Sequence, residues 1–138
     1  MPIATDPRAN HLLAALPSDV LVQLLPVLEL IPLLAGTALY ESGESLRYLY
    51  FPTDSIVSLL FRVEDGSSIE IAVIGNEGVA GLALYMGGET ALSRAIVQSS
   101  GSAYRLKGQV LKSSVNHADP LQQLLLRYTQ ALLTQMAQ

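Results

Sequence analysis

The residues best suited to bind a ligand lie in one segment of the sequence, residues 73–98. This segment contains five glycines, at positions 75, 78, 81, 87 and 88, and a single cation, Arg94. Backbone N–H groups of a glycine-rich loop, together with an arginine, are groups that bind a phosphate. The same glycines could instead form tight corners, where a positive φ favours glycine. We interpret the pair Gly87 and Gly88 as such a turn.

Arg94 has two interpretations that stay open. It is the only basic residue between Arg62 and Arg105, so it could contact a ligand. It could equally be a solvated strand residue, or one paired with Glu77 or Glu89. The aromatic residues that precede this segment could line a pocket, but residues of this type more often fill a core. We expect the core to contain Tyr40, Tyr48, Tyr50 and Phe51.

Composition limits the classes of protein to which the chain could belong. Its 138 residues, half of them hydrophobic, suffice for one domain with a core. A net charge of −4 argues against binding nucleic acid through this chain alone. The absence of cysteine excludes disulfides, thiolate metal sites and a cysteine nucleophile. The two histidines, His11 and His117, are too far apart in sequence to form a motif of closely spaced metal ligands.

The sequence has no pattern typical of a secreted or membrane protein. Residues 1–10 are polar and contain two prolines, so they do not resemble a signal peptide. The most apolar run, residues 21–36, is too short to span a bilayer and is interrupted by Pro26 and Pro32. We therefore expect a cytoplasmic protein that has no membrane partner.

Short apolar runs separated by turn residues predict a mainly β protein with flanking helices. A first helix should begin at Ser18, a typical N-cap, and Pro26 should end it. Strands are expected at residues 28–33, 37–40, 48–51, 55–63, 69–74, 94–98 and 103–106. Asp65 and Gly66, between two of these strands, predict a hairpin. Many short strands with glycine turns are typical of a sandwich or a barrel.

Two helices are predicted after the strands, the first at residues 108–115. The second begins where Asp119 can cap the helix and Pro120 can occupy its first position. Its apolar residues recur every three or four positions and form a wide stripe of Leu121, Leu124, Leu125, Tyr128, Leu132 and Met136. Leu126 and Leu133 lie partly off this stripe, so the helix is apolar on more than one side. We therefore expect a homodimer that forms through this helix, with the stripe residues from Leu121 to Met136 in its interface.

The order of these elements resembles the cyclic-nucleotide-binding domain of the Crp/Fnr transcription regulators. The resemblance covers roughly residues 10–138 and is carried by LLAGTALYESGE, YLYFPTDSIVSLL, GNEGVAGLALYMGGE and SRAIVQ. It implies a β-roll, which is a double-stranded β-helix, in a single domain with N-terminal helices at 1–27, the roll at 28–107 and C-terminal helices at 108–138. In this family a DNA-binding helix-turn-helix domain normally follows, so we expect DNA contact only through a domain outside this sequence.

The resemblance also implies a ligand site. The family's cassette reads Gly-Glu-x-Gly and later Arg-Ser/Thr-Ala; its arginine and backbone N–H groups bind the cyclic phosphate, and its Glu binds the ribose. The matching stretch supplies the candidate ligand residues Glu77, Gly78, Val79, Ala80, Gly81, Ser93, Arg94 and Ala95. Their order departs from the motif, because Val79 takes the place of the Glu and Arg94 stands one position late. A shift of one residue along a strand turns a side chain to the opposite face.

We therefore interpret the chain as the ligand-sensing and dimerisation domain of a Crp/Fnr-like regulator whose standard cassette has degenerated. The first alternative is a working cassette that binds cAMP or cGMP, with Arg94 re-aimed by a bulge. Under the favoured interpretation the ligand pocket of the roll is empty, binds another small effector or responds to a partner. A stand-alone protein-interaction module is a further alternative. An enzyme of the cupin type shares the double-stranded β-helix but is least favoured, since that class needs clustered metal ligands.

Overall fold

Short helices precede the strands in the computed structural model, which describes residues 6–85, 90–113 and 119–136. These helices are α1 (His11–Ala14) and α2 (Ser18–Leu24), and 3₁₀ turns lie at Pro7–Ala9 and Leu25–Val27. The next elements are β1 (Leu28–Leu33), β2 (Ala38–Tyr40), β3 (Tyr48–Pro52), β4 (Ile56–Arg62), β5 (Ser68–Ile74), α3 (Leu82–Tyr85), β6 (Arg94–Ser99) and β7 (Gly101–Lys107). Helix α4 (Gly108–Ser113) and the long helix α5 (Asp119–Met136) follow.

The strands form two antiparallel sheets. One sheet has the strand order β1-β7-β3 and the other has the order β2-β6-β4-β5. Strands β4 and β5 form the predicted hairpin, and Gly66 in its turn has φ +90°, a conformation that favours glycine. Each predicted strand is present, with its ends moved by two residues or fewer. The predicted fold class, mainly β with flanking helices in a β-roll, is confirmed.

The capping of the first helices differs from the prediction. Ser18 as the N-cap of α2 is wrong, because Ser18 is the first helical residue and Pro17 holds the cap position without a side-chain hydrogen bond. A side-chain cap is found on α1, where the Asn10 Oδ1 accepts hydrogen bonds from the N–H groups of Leu12 and Leu13 at 3.0 and 3.2 Å. Asn10 is completely buried, so its position is set by tertiary contacts as well as by the helix.

Two clusters of apolar side chains form the core. The first cluster joins α1, α2, β3, β7 and α5 and includes Leu13, Phe51 and Leu125. The second cluster contains side chains from all seven strands, with Val57 and Ala95 fully buried. Three of the four aromatic residues predicted for the core are buried, and the fourth, Tyr48, is half-buried. No helix in the described part of the chain is long and apolar enough to span a membrane.

Candidate functional site

The glycine-rich segment connects β5 to β6 and brings the predicted ligand residues together. Its first part, residues 75–81, runs from the end of β5 to α3 and is called the proximal segment below. Its last part, residues 90–95, is called the distal segment and includes the first two residues of β6. The eight predicted ligand residues all lie in these two segments. The predicted turn at Gly87 and Gly88 lies outside the described residues, as does Glu89.

The backbone N–H groups of the proximal segment are the donors that a phosphate would need. Two of them are bonded within the backbone. The Gly78 N–H donates to the Gly75 carbonyl over 3.1 Å, and the Ala80 N–H donates to the Tyr50 carbonyl over 2.9 Å. Tyr50 returns a hydrogen bond of 2.9 Å to the Ala80 carbonyl. This bridge ties the proximal segment to β3.

Tyr128 of α5 packs directly on the proximal segment. Burial raises the pKa of Tyr128 to about 12, although a hydrogen bond from the Val79 N–H to its hydroxyl lowers that pKa. Gly78 leaves the room for this ring, because a Cβ there would collide with the hydroxyl and would lie 2.7 Å from Cζ. A third backbone donor of the segment, the Val79 N–H, therefore faces the Tyr128 hydroxyl of α5.

Tyr40 of β2 joins the proximal segment to the distal segment. Burial raises the pKa of Tyr40 to about 12, while hydrogen bonds to its hydroxyl from the Gly81 N–H and the Ser93 side chain lower that pKa. Gly81 has φ +100°, and a Cβ there would lie 2.6 Å from the Tyr48 carbonyl oxygen. The Tyr40 hydroxyl thus accepts hydrogen bonds from donors in both segments of the predicted phosphate site.

Asn10 fixes the proximal segment from the N-terminal side of the chain. Its Nδ2 donates to the Gly78 carbonyl over 2.9 Å and to the Pro52 carbonyl over 2.8 Å. The neighbouring His11 N–H donates to the Asn76 carbonyl over 2.7 Å. The proximal segment is therefore held by α1, β3 and α5 together.

The proximal side chains that were predicted to contact a ligand are engaged in local or core contacts. Glu77 is exposed, and its carboxylate accepts a hydrogen bond of 3.2 Å from the Gly75 N–H. Val79, at the position where the motif carries its Glu, is 1% exposed and belongs to the first core cluster. Ala80 is also buried. The place of the ribose-binding Glu is thus part of the hydrophobic core.

Arg94 in the distal segment forms an ion pair with Glu41, with 2.7 Å between Nε and Oε1. The pairing with Glu77 that the sequence offered as one interpretation is wrong. Strands β2 and β6 pair with Tyr40 opposite Ala95, so the next residues, Glu41 and Arg94, come together. Both side chains of the pair are more than 40% exposed. Among the described residues Arg94 Nε has no hydrogen-bond partner of good geometry, so the contact is electrostatic.

A pocket of about 460 Å³ lies between the β4–β5 hairpin, both loop segments and α5. Its described lining is almost entirely apolar and includes Leu59, Phe61, Ile71, Leu92 and Leu132. Within the described ranges, no group of three or more His, Asp or Glu side chains has the geometry to hold a metal ion.

The predicted stripe on α5 divides between two environments. Leu121 and Leu125 are 2% and 0% exposed and belong to the first core cluster, so neither side chain lies on the surface. Leu124, Tyr128 and Leu132 are half-buried. The side chain of Met136 is not among those described. Among the described side chains of this helix, the large apolar ones that are exposed are Leu126 and Leu133, the two that lay off the stripe.

The sequence matches a known protein family over the roll and the loop. The cyclic nucleotide-binding domain family matches residues 30–117, which contain the whole roll except its first two residues, and both loop segments. The chain belongs to this family. A comparison of the sequence with curated proteins gives no match.

Solved structures with the same fold include both bacterial and protozoan proteins. The N-terminal domain of a transcriptional regulator from Streptomyces coelicolor A3(2) is 22% identical, with a TM-score of 0.69 over 98% of this chain and 91% of that one. The sensor domain of the transcriptional regulator DNR from Pseudomonas aeruginosa is 17% identical, with a TM-score of 0.71 over 95% and 89%. The regulatory subunit of a cAMP-independent protein kinase A from Trypanosoma brucei is 17% identical, with a TM-score of 0.76 over 88% of this chain and 43% of that one.

Sequence reasoning missed the side chains that engage the loop of this cyclic nucleotide-binding domain. Tyr40 and Tyr128 lie about ninety residues apart in sequence, and neither stands in the motif. No local pattern distinguishes them from other core tyrosines. Asn10 was detectable in principle, because an Asn before a short helix is a common N-cap. Glu41 follows from the β2–β6 register, which a sequence alone does not give.

Proposed function

We propose that this chain is the ligand-sensing and dimerisation domain of a Crp/Fnr-like transcription regulator in which side chains of the protein itself fill the standard cyclic-phosphate site. The observation that carries the proposal is that the protein's own groups engage the backbone of this stretch. The Gly78 and Ala80 N–H groups donate to backbone carbonyls, and the buried phenols of Tyr128 and Tyr40 lie against Val79 and Gly81. The domain would act by binding rather than by catalysis, in the cytoplasm, and would reach DNA through a helix-turn-helix domain outside this sequence.

The charges of the site support the same proposal. The motif's Glu is replaced by the buried Val79, and Arg94 is paired with Glu41. A charge-assisted hydrogen bond contributes about 1.5–3 kcal/mol. Loss of two such bonds would weaken the binding of a cyclic nucleotide by roughly two to four decades, since about 1.4 kcal/mol is tenfold. The Trypanosoma brucei protein of the same fold is described as cAMP-independent, so the fold is compatible with loss of that ligand.

Calorimetric titration with cAMP, and separately with cGMP, tests this part of the proposal. We expect no saturable heat up to millimolar ligand. Arg94→Ala and Arg105→Ala form a matched pair of variants, because Arg105 is also ion-paired, 2.8 Å from Glu29, but lies outside the loop. Micromolar binding that is lost in Arg94→Ala and kept in Arg105→Ala would overturn the proposal in favour of a working cassette.

The dimerisation part of the proposal rests on the outer face of α5. Leu126 and Leu133 are 51% and 56% exposed and lie seven residues apart, the spacing of equivalent positions in successive heptads of a coiled coil. Leu121 and Leu125, which point about 110° away from this pair around the helix, pack on the roll. A second copy of α5 would bury the exposed pair, with the half-buried Leu132 at its edge.

Sedimentation equilibrium tests the dimer. We expect the wild-type chain to be dimeric at micromolar concentration and the double variant Leu126→Glu, Leu133→Glu to be monomeric. Val22→Glu is a suitable control, because Val22 is equally exposed but lies on α2. A monomeric wild-type chain would contradict this part of the proposal without affecting the ligand titration.

A further inference from the structure

The pocket between the roll and α5 is deep as well as apolar. Its mouth includes the exposed side chains of Leu92 and Leu133, whereas its lining also includes Val79 and Ala91, which are almost completely buried. A surface that begins at exposed residues and ends at buried ones is a cavity rather than a flat patch. Its volume of about 460 Å³ lies within the range of small-molecule sites, about 300–1,000 Å³.

The described lining of the pocket offers no charge to a ligand. None of the described residues that line it is charged, and three are side-chain donors or acceptors, Tyr40, Ser93 and Thr129. The Thr129 hydroxyl donates to the Leu125 carbonyl over 2.7 Å, so its proton is already used by its own helix. Tyr40 and Ser93 bring two hydroxyl groups together and form the polar end of the described lining. An anion here would lose its hydration without gaining a charged partner.

Several large apolar side chains at the mouth of the pocket are exposed to solvent. Leu92, Leu133 and Phe61 are 74%, 56% and 49% exposed, and all three line the same cavity. Scattered exposed leucines need no explanation, but a contiguous group around a cavity is typical of a binding site. The buried floor of the cavity lies below this mouth, where a small molecule fits better than the side of a second helix.

We infer that this pocket binds an uncharged, largely apolar small molecule that carries one hydroxyl or carbonyl group. The apolar body lies between Phe61 and Ile71 of the hairpin and Leu132 of α5, and the polar group meets Tyr40 and Ser93. The inference rests on the proposed function and deepens it, because it names the effector class for a sensor in which the protein's own side chains fill the cyclic-phosphate site. A molecule in contact with both the hairpin and α5 favours the state in which this helix packs against the roll.

Fluorescence titration with Nile red, an uncharged apolar dye with a carbonyl group, tests the inference on the full chain. We expect saturable binding with one dye per chain. Ala83→Phe fills the pocket and Leu133→Gln makes its mouth polar, and each should weaken binding at least tenfold. Leu133 is exposed, so this variant keeps the test valid if Ala83→Phe fails to fold. The control is Leu34→Gln, which changes an equally exposed leucine that does not line the pocket and should leave binding unchanged.

A matched pair of competitors tests the polar end of the pocket. We expect 2-naphthol to displace the dye at a lower concentration than naphthalene, and Ser93→Ala to reduce that difference. Equal displacement by both competitors in the wild-type chain would contradict the assignment of Tyr40 and Ser93.

Two results would overturn the inference as a whole. One is the absence of saturable dye binding, or an equal loss in Leu34→Gln. The other is dye binding that appears only in Leu126→Glu, which alters the proposed dimer face but not the pocket lining, and which would mean that a second copy fills the pocket. Displacement of the dye by micromolar cAMP would overturn the proposed function together with this inference. Absence of binding by both dye and cyclic nucleotide would overturn this inference alone.

Discussion

The proximal and distal segments of the loop each contain part of the family motif, but the motif residues have different surroundings in the two segments. In the proximal segment side chains and backbone pack against the glycines, with the Tyr128 ring over Gly78 and the Tyr48 carbonyl close to Gly81. In the distal segment the arginine survives, but it pairs with Glu41 at the surface. The motif's glycines therefore serve the packing of the roll, whereas its arginine depends on register to meet a ligand.

The largest effect is expected from Gly81→Ala in the proximal segment. A positive φ costs a residue with a Cβ about 1–2 kcal/mol, and the contact with the Tyr48 carbonyl adds about 1–3 kcal/mol of overpacking. Gly66→Ala is the matched control, because Gly66 has φ +90° but no heavy atom lies within 4 Å of the place that its Cβ would occupy. Urea denaturation should therefore show a larger loss of unfolding free energy for Gly81→Ala. Equal losses in the two variants would mean that the close approach to Tyr48 is not present.

A smaller effect is expected from Gly78→Ala, which has no positive φ to add to its contact. Overpacking against the Tyr128 ring should lower the unfolding free energy by about 1–3 kcal/mol. Gly75→Ala should change it by less than about 0.5 kcal/mol, since the nearest atom is the flexible Glu77 carboxylate at 2.9 Å. Tyr128→Leu in the Gly78→Ala background should restore part of the loss. A loss that is the same with and without Tyr128 would contradict the contact.

The buried phenols make a prediction about alkaline stability. The folded-state pKa values of Tyr40 and Tyr128 are raised to about 12 from an ordinary value of 10.0, so both tyrosines stay protonated in the folded chain after they ionise in the unfolded chain. Their contribution is fully present below pH 10 and is lost as the pH rises to 12, at about 1.4 kcal/mol per pH unit for each tyrosine. Denaturation at pH 9, 10 and 11 should show this slope, and the double variant Tyr40→Phe, Tyr128→Phe should flatten it. An unchanged slope in the double variant would disprove the assignment.

The smallest effect is expected from the distal segment. Arg94→Ala removes an exposed ion pair and should lower the unfolding free energy by about 0–1 kcal/mol, a loss that 1 M salt should reduce further. Arg105→Ala should cost more, because Arg105 is less exposed and its guanidinium also lies 4.2 Å from the centre of the Tyr48 ring. A larger loss for Arg94→Ala would mean that the distal segment is as tightly held as the proximal one.

Local sequence patterns predicted the fold well because they report local physics. The strands appear as short apolar runs, Gly66 marks the hairpin turn, and Pro26 follows the end of α2. The same reasoning assigned the cap of α2 to Ser18, one position late, because a Ser and a Pro at a helix start can each occupy the cap position. Periodicity also found the apolar face of α5. It could not show which leucines pack on the roll, because a wide stripe fits more than one orientation.

The candidate site was less predictable than the fold because its contacts join distant parts of the chain. The sequence shows that Val79 stands where the motif has Glu, and Val79 is indeed in the core. It does not show that Tyr40 and Tyr128 reach the backbone donors, since both contacts depend on how β2 and α5 pack. The pairing of Arg94 with Glu41 likewise depends on strand register, which a one-residue shift would change.

The side chain of Asn10 couples the local unfolding of α1 to that of the proximal segment. Its four hydrogen bonds join the start of α1, the end of β3 and Gly78. None of these contacts can open alone without leaving a buried polar group unsatisfied. Amide hydrogen exchange should therefore occur from one cooperative unit, in which Leu12, Leu13 and the proximal segment have a common opening free energy.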